Sequence, residues 1–166
     1  MGEADSTLAT LEQVYRTQFK AFLNTAMAYL GDREAAMDAV QEGVAMAIRK
    51  RRSYRGEGTV EAWLWRIVVN SIRTQYRERA QRLRFSAVPE EGEAGNGLPD
   101  EAARDEVRAA VRRLPERQRL ILFLRFYADM DYATIAEVAE IREGTVAASL
   151  NAAQARLRGL FEEVRA

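Results

Sequence analysis

From Val60 to Arg84 the residues VEAWLWRIVVNSIRTQYRERAQRLR have the periodicity of one long helix with two unlike faces. Turned at about 100° per residue, Leu64, Ile67, Val68, Ser71, Ile72 and Gln75 share one arc, which Trp65, Val69 and Tyr76 widen. Arg66, Asn70, Arg73, Arg77 and Arg84 fall opposite, flanked by Trp63 and Thr74. The wider stretch from Arg49 to Arg84 holds eleven Lys/Arg against Glu57, Glu61 and Glu78, in a chain that balances 25 basic with 25 acidic residues. Positive charge is therefore concentrated here. Guanidinium forks bind phosphate, an amide reads a base edge, and aromatic rings stack on unpaired bases. Such a face suits single-stranded nucleic acid. The plainer alternative is a solvated basic face beside an ordinary core.

The remaining composition narrows the chemistry. A length of 166 residues allows one ordinary domain or two small ones, and 48% apolar content predicts folding. There is no cysteine and no histidine. Disulfides, thiolate metal sites, thiol nucleophiles and the usual general base are thereby removed, and no metal or cofactor is expected. A helical enzyme finds no support, since no nucleophile–base pair or phosphate-cradling loop is present. No apolar run approaches a membrane span. The acidic start, MGEADSTLATLEQ, lacks the regions of a signal peptide, so a cytoplasmic chain is expected.

Around the basic helix the chain reads as all-α. Ser6 or Thr7 can cap a first helix, with Leu8, Leu11, Tyr15, Phe19, Phe22 and Ala26 as its core stripe and Gly31 at its end. Asp32 caps a second helix to about Arg51, which buries Met37, Val40, Val44 and Ile48. Its far side carries Asp38, Glu42 and Arg49, with Gln41 at the border. Ser53–Gly58 is a loop by its glycines, and Thr59 caps the long third helix. Ser86–Asp100, SAVPEEGEAGNGLPD, predicts a flexible acidic linker, placed to shield the basic helix. A fourth helix follows from about Asp100 to Arg113. Pro115 is expected at the first position of a fifth, whose apolar side is Leu120, Ile121, Leu124 and Tyr127. Asp131 caps a short sixth helix through Ala139, and a last helix runs from about Glu143 to Val164. The final pair suggests a helix-turn-helix or a plain helical hairpin, with Ile135, Ala136, Ile141, Val146 and Leu150 inside.

Four segments in this order, YLGDREAAMDAVQEGVAMAI, YRGEGTVEAWLWRIVVN, LPERQRLILFLRF and DYATIAEVAEIREGTV, resemble an extracytoplasmic-function (ECF) sigma factor with regions 2 and 4 alone. The resemblance implies a region 2 helical bundle over 1–85, a linker over 86–100 and a region 4 helix-turn-helix over 101–166. It implies that Asp38, Gln41 and Glu42 dock on the β′ clamp of RNA polymerase, with further contacts to the β subunit. It makes the 53–58 loop, with Tyr54, a base-capturing loop. Trp63, Arg66, Asn70, Arg73 and Arg77 become the face that holds the melted minus-ten strand. Promoter DNA, core polymerase and an anti-sigma factor are the implied partners, without membrane insertion. Melting involves no covalent chemistry, so no catalytic residue is implied.

The last segment departs from the family's usual pattern, which resembles GISEGTVKSRLHRARR. Glu140 stands where a turn glycine is usual, at a cost of about 1–2 kcal/mol if the backbone there is left-handed. Arg142 replaces a capping serine, a loss of about 1 kcal/mol. Ala147, Ser149, Asn151, Ala152 and Gln154 replace basic or imidazole side chains. Arg142, Thr145, Ser149, Asn151, Arg156 and Arg158 remain as candidate contacts to the minus-thirty-five element. From Asp131 onward four arginines face six carboxylates, whereas a DNA reader is normally basic. The departures leave an alternative: a sigma-like protein with degenerate minus-thirty-five recognition that binds an anti-sigma factor or polymerase without being a full initiation factor.

Overall fold

A computed structural model describes residues 3–85 and 99–165, and the described residues form seven α-helices with one short 3₁₀ turn. The helices are α1 (Glu3–Leu30), α2 (Arg33–Lys50), α3 (Val60–Phe85), α4 (Pro99–Arg112), α5 (Glu116–Phe126), α6 (Tyr132–Ala139) and α7 (Glu143–Arg165). The 3₁₀ turn, Arg51–Ser53, follows α2. Residues 86–98 of the expected linker lie outside the described residues.

The first three helices form a bundle. α1 starts upstream of Ser6 and Thr7, so neither caps it; the Ser6 carbonyl instead accepts from the Thr10 hydroxyl at 3.0 Å. Nothing in the first turns breaks a helix, and capping preference does not override that. α1 ends at Gly31, whose φ of 68° is the left-handed conformation glycine adopts without strain. Asp32 then accepts from the Ala35 N–H at 3.0 Å and caps α2.

The buried stripe of α2 is not the expected one. Val40 is buried, but its companions are Ala36, Ala39, Gly43 and Ala47, while Met37 and Val44 are half-buried and Ile48 is exposed. The reason is close helix packing. A Cβ on Gly43 would stand 2.8 Å from the Val68 Cα, so α2 presents its small residues to α3. The Ser71 hydroxyl uses the same proximity to donate to the Ala39 carbonyl at 2.9 Å. On the other flank the Phe22 and Trp65 rings lie 4.2 Å apart. The Trp65 indole N–H donates to Gln18, whose amide donates to Glu61, each at 2.6 Å, so the fully buried indole keeps a partner.

The C-terminal helices pack on one another and on this bundle. Pro115 is the N-cap of α5, one position earlier than expected. Its ψ of 144° is extended, and its carbonyl accepts from the Arg119 N–H at 3.0 Å. α5 buries Arg119 and Leu120 to Leu124, because neighbours cover it on more than one side; Tyr127 is half exposed. Asp131 caps α6 by accepting from the Thr134 N–H at 2.7 Å. Glu140 ends it at φ 56° and ψ 44°, the left-handed turn of a helix-turn-helix. Ile135, Val146 and Leu150 are buried there, with Ala136 and Ile141 packed against them.

A seam joins the two halves. Tyr29 of α1 meets Phe123 of α5 edge-on at 4.8 Å and Tyr76 of α3 at 5.8 Å. The Arg119 guanidinium covers both tyrosine rings, 4.8 Å from the Tyr76 centroid and 5.6 Å from that of Tyr29. It also donates to the Arg112 carbonyl at 3.2 Å. The apolar core is continuous across this seam.

Candidate nucleic-acid interface

Glycine and a tyrosine shape the loop between α2 and α3. Gly56 and Gly58 take φ values of 75° and 73°, which fold the chain back tightly. The Tyr54 hydroxyl closes the loop by donating to the Gly58 carbonyl at 2.7 Å, and its ring lies 5.6 Å from that of Trp63. Beside the loop is an open hollow of about 460 Å³. Arg51, Arg52, Arg55, Tyr54, Gly56 and Val60 line one side, and Ser6, Thr7 and Thr10 of α1 the other. Cationic forks, hydroxyls and an aromatic ring in one concavity can hold a flipped base and its phosphates. Thr59 accepts from the Ala62 N–H at 3.1 Å and starts α3 at this rim.

Along α3 the predicted faces are present. Ala62, Leu64, Trp65, Val68, Val69, Ser71 and Ile72 are buried. Asn70 and Arg77 are exposed, and Trp63, Arg66 and Arg73 are half-buried. The polar face is not open, however. Arg66 pairs with Glu140 at 2.9 Å. Arg73 and Arg77 both pair with Glu116, at 2.6 and 2.8 Å. The Thr59 N–H donates to Glu137 at 2.6 Å, and a Cβ on Gly58 would collide with that same carboxylate. All three glutamates belong to the C-terminal half. Glu116 of α5, Glu137 of α6 and Glu140 of the turn behind it cover this face, while residues 86–98 of the linker expected to shield it lie outside the described residues.

The electrostatics agree with this geometry. The hydrogen bond from Arg73 is the leading cause that holds the Glu116 carboxyl below its ordinary pKa; burial opposes it, and the charges of Arg73 and Arg77 reinforce it. At the seam, burial pushes the Tyr29 hydroxyl up to about 12, against the pull of the Arg119 charge. That hydroxyl has no well-formed hydrogen bond, and only a poor contact with the Arg119 guanidinium.

The other expected site residues lie on open surfaces. Asp38, Gln41 and Glu42 are exposed together on α2. On the second helix of the helix-turn-helix, Asn151 and Arg156 are exposed and Thr145 and Ser149 half-buried; Arg142, just ahead of it, is exposed. The Arg142 carbonyl accepts from the Thr145 and Val146 N–H groups, so this residue does start α7. Periodicity gave no hint of Glu116, Glu137, Glu140 or Arg119 as partners of the first half. The one sequence signal was Glu140 itself, a carboxylate at a turn that favours glycine. Among the described residues no group of His, Cys, Asp and Glu could hold a metal ion, and no helix is long and apolar enough to cross a membrane.

Comparison with known proteins gives one consistent answer. The profile of Sigma-70 region 2 matches residues 15–82, and that of Sigma-70, region 4 matches residues 104–157. The RNA polymerase sigma-H factor of Pseudomonas aeruginosa is 32% identical over 138 residues, covering 75% of this chain and 72% of its own length. The ECF RNA polymerase sigma factor EcfG of Rhodopseudomonas palustris is 28% identical over 139 residues, covering 82% and 76%. Among solved structures, CnrH in complex with the cytosolic domain of CnrY superposes with a TM-score of 0.70 at 22% identity, covering 96% of this chain and 92% of that one. At that identity the likeness concerns the fold.

Proposed function

The chain belongs to the ECF sigma factors, with regions 2 and 4, and on that premise we propose which of its surfaces bind polymerase and promoter. As a sigma factor it acts in transcription initiation, directing RNA polymerase to promoters and opening them. In our reading the arginine-lined hollow captures an unpaired base of the minus-ten element. Trp63, Arg66, Asn70, Arg73 and Arg77 then hold the strand that follows. Asp38, Gln41 and Glu42 dock on the polymerase clamp, from a surface that shares no packing with the core. The helix-turn-helix reads the minus-thirty-five element through Arg142, Thr145, Ser149, Asn151 and Arg156. The two halves work as separate modules on the promoter, joined by the linker. Strand opening needs binding energy alone, so no residue is given a catalytic role. The solved CnrH is bound to the cytosolic domain of CnrY, and we extend that to an anti-sigma partner for this chain.

The observation that carries this reading is that Tyr54, which lines the hollow with Arg51, Arg52 and Arg55, has its ring 5.6 Å from Trp63 on the polar side of α3. The test is run-off transcription with core polymerase. The chain gives promoter-specific transcripts, and Asp38→Arg with Glu42→Arg loses them and core binding while helicity is unchanged. Absent transcripts together with binding to an anti-sigma factor would favour a sigma-like protein that does not initiate.

A further inference from the structure

The hollow beside the loop has two unlike walls. One is cationic: Arg51, Arg52 and Arg55 come from the 3₁₀ turn and the loop that follows it. The other is neutral: Ser6, Thr7 and Thr10 come from the first turns of α1. Val60 and Tyr54 lie with them and supply an apolar edge and a ring for stacking. At about 460 Å³ the space is that of a small-ligand pocket, with room for a base, its sugar and its phosphate. The profile of Sigma-70 region 2 matches from residue 15 onward, so the neutral wall lies outside the part of the chain that the family profile describes.

The two walls differ in what they can recognise. Guanidinium groups attract phosphate whichever base it carries. Arg51 also donates to the Ile48 carbonyl at 2.9 Å, which ties part of its fork to the end of α2. On the neutral wall the Thr10 hydroxyl donates to the Ser6 carbonyl at 3.0 Å. Its one proton is spent there, so this oxygen offers a ligand lone pairs alone. The Tyr54 hydroxyl spends its proton in the same way, on the Gly58 carbonyl. An acceptor in this position pairs with an amino group. Adenine and cytosine carry exocyclic amino groups, N6 and N4. Guanine and thymine carry carbonyl oxygens in the same places, O6 and O4, and these would meet the Thr10 oxygen lone pair to lone pair.

We propose that Thr10 of α1 is a specificity-determining residue: across the hollow from the arginines that hold phosphate, its acceptor oxygen selects a flipped base with an exocyclic amino group, adenine or cytosine, over guanine and thymine. The inference rests on the base-capture reading given above and adds to it a residue outside the loop. The loop captures the nucleotide and α1 reads the base. Ser6 is a positioning residue, since its carbonyl holds the Thr10 proton away from the ligand.

The test uses holoenzyme, the full chain with core polymerase, on a promoter from which it initiates, with the minus-ten element pre-melted as a bubble. Pre-melting takes duplex stability out of the comparison. Each non-template position of the element is varied through the four bases, and holoenzyme affinity is measured on every template. Thr10→Val keeps the branched shape at an exposed helical position and removes the acceptor. Thr10→Ser keeps the acceptor and serves as the rescue. Arg52→Gln/Arg55→Gln removes charge from the opposite wall, where both residues are exposed.

At one position the unmodified chain prefers adenine or cytosine roughly fivefold over guanine and thymine, the worth of one hydrogen bond. Thr10→Val loses that preference at that position alone, and Thr10→Ser retains it. The arginine variant weakens binding to every template alike and leaves the preference in place. A preference that survives Thr10→Val overturns the inference. So does a uniform loss across all templates, which a merely structural role for Thr10 would give. A preference lost with the arginines instead assigns the reading to the loop and overturns the inference as well. If binding responds to the arginines while the preference ignores Thr10, base capture stands and α1 has no part in it. If neither variant changes binding at any position, base capture in the hollow fails, and the role of Thr10 falls with it.

Discussion

Two helices in this chain face DNA in our reading, and they differ in opposite ways. α3 has the charge but not the access: Arg66, Arg73 and Arg77 are all engaged by carboxylates of the other half. α7 has the access but not the charge: Asn151 and Arg156 are exposed, yet Ala147, Ser149 and Ala152 carry nothing for phosphate. Electrostatics dominate nucleic-acid affinity, so the two faces should contribute unequally. The difference teaches that an exposed helix in a familiar motif and a strong binding surface are separate things. A strong basic face can be held in reserve, and an available one can be weak.

The largest effect tests the stronger face. Replacing Arg66, Arg73 and Arg77 by alanine should lower affinity for a single-stranded minus-ten oligonucleotide roughly a hundredfold at low salt. The slope of log K against log salt should flatten by about 2 units, at about 0.7 per contact on a single strand. Titrations at several salt concentrations measure both. Loss of affinity with an unchanged slope would mean that the arginines hold the fold and not the phosphates.

Next in size is the converse, made on the weaker face. Arginine at Ala147, Ser149 and Ala152 should steepen the salt dependence of duplex promoter binding by about 0.9 units per residue, since none of the three is buried. Affinity should rise roughly tenfold at low salt. If the unmodified chain already binds duplex tightly and steeply through α7, the contrast between the two faces is gone.

The sequence made the faces of α3 legible because a helix of 26 residues repeats its pattern often enough to fix both sides. The caps at Asp32, Thr59 and Asp131 were readable for a local reason: each side chain bonds a backbone N–H three residues on. The stripe of α2 was misjudged because close approach at Gly43 favours small residues, and periodicity rewards large ones. The cover on α3 was not legible at all. Glu116 and Arg73 are 43 positions apart and Arg66 and Glu140 are 74 apart, and neither spacing has a period. Only the glutamate at a left-handed turn hinted that something other than local preference governed that residue.

Acidification probes the cover more gently. The Glu116 carboxyl is lowered in the folded chain, so the stability it confers is fully present above the ordinary glutamate value and lost as pH falls through the folded one. Energy transfer across the junction, between dyes on Lys20→Cys and Gln154→Cys in this cysteine-free chain, should stay constant from neutral pH to about pH 5 and fall below that. Asp131 is lowered as well, chiefly by the backbone hydrogen bond from Thr134, so the α6 cap weakens in the same direction. Glu116→Gln separates the two, removing the junction's share of the change and leaving that of the cap. A profile unaltered by Glu116→Gln would place the acid-sensitive group elsewhere.

The smallest effect concerns the seam beneath both faces. The Tyr29 hydroxyl is buried with only a poor contact to Arg119, while its ring is held edge-on by Phe123 and Tyr76 and covered by that guanidinium. Deleting a buried hydroxyl whose one contact is poor removes a desolvation cost larger than the bond it loses and leaves the ring contacts in place. Tyr29→Phe should therefore stabilise the chain by about 1 kcal/mol in urea unfolding. Tyr76→Phe is the comparison, since its hydroxyl accepts from Arg119 at a long 3.4 Å; it should lose no more than about 0.5 kcal/mol. Opening the junction returns the Tyr29 hydroxyl to water, so the gain from Tyr29→Phe belongs to the closed form alone. Closure competes with strand binding, and about 1 kcal/mol in its favour weakens single-strand affinity by up to about fivefold. A Tyr29→Phe chain that is more stable but binds the strand unchanged would separate the seam from the competition between the two faces.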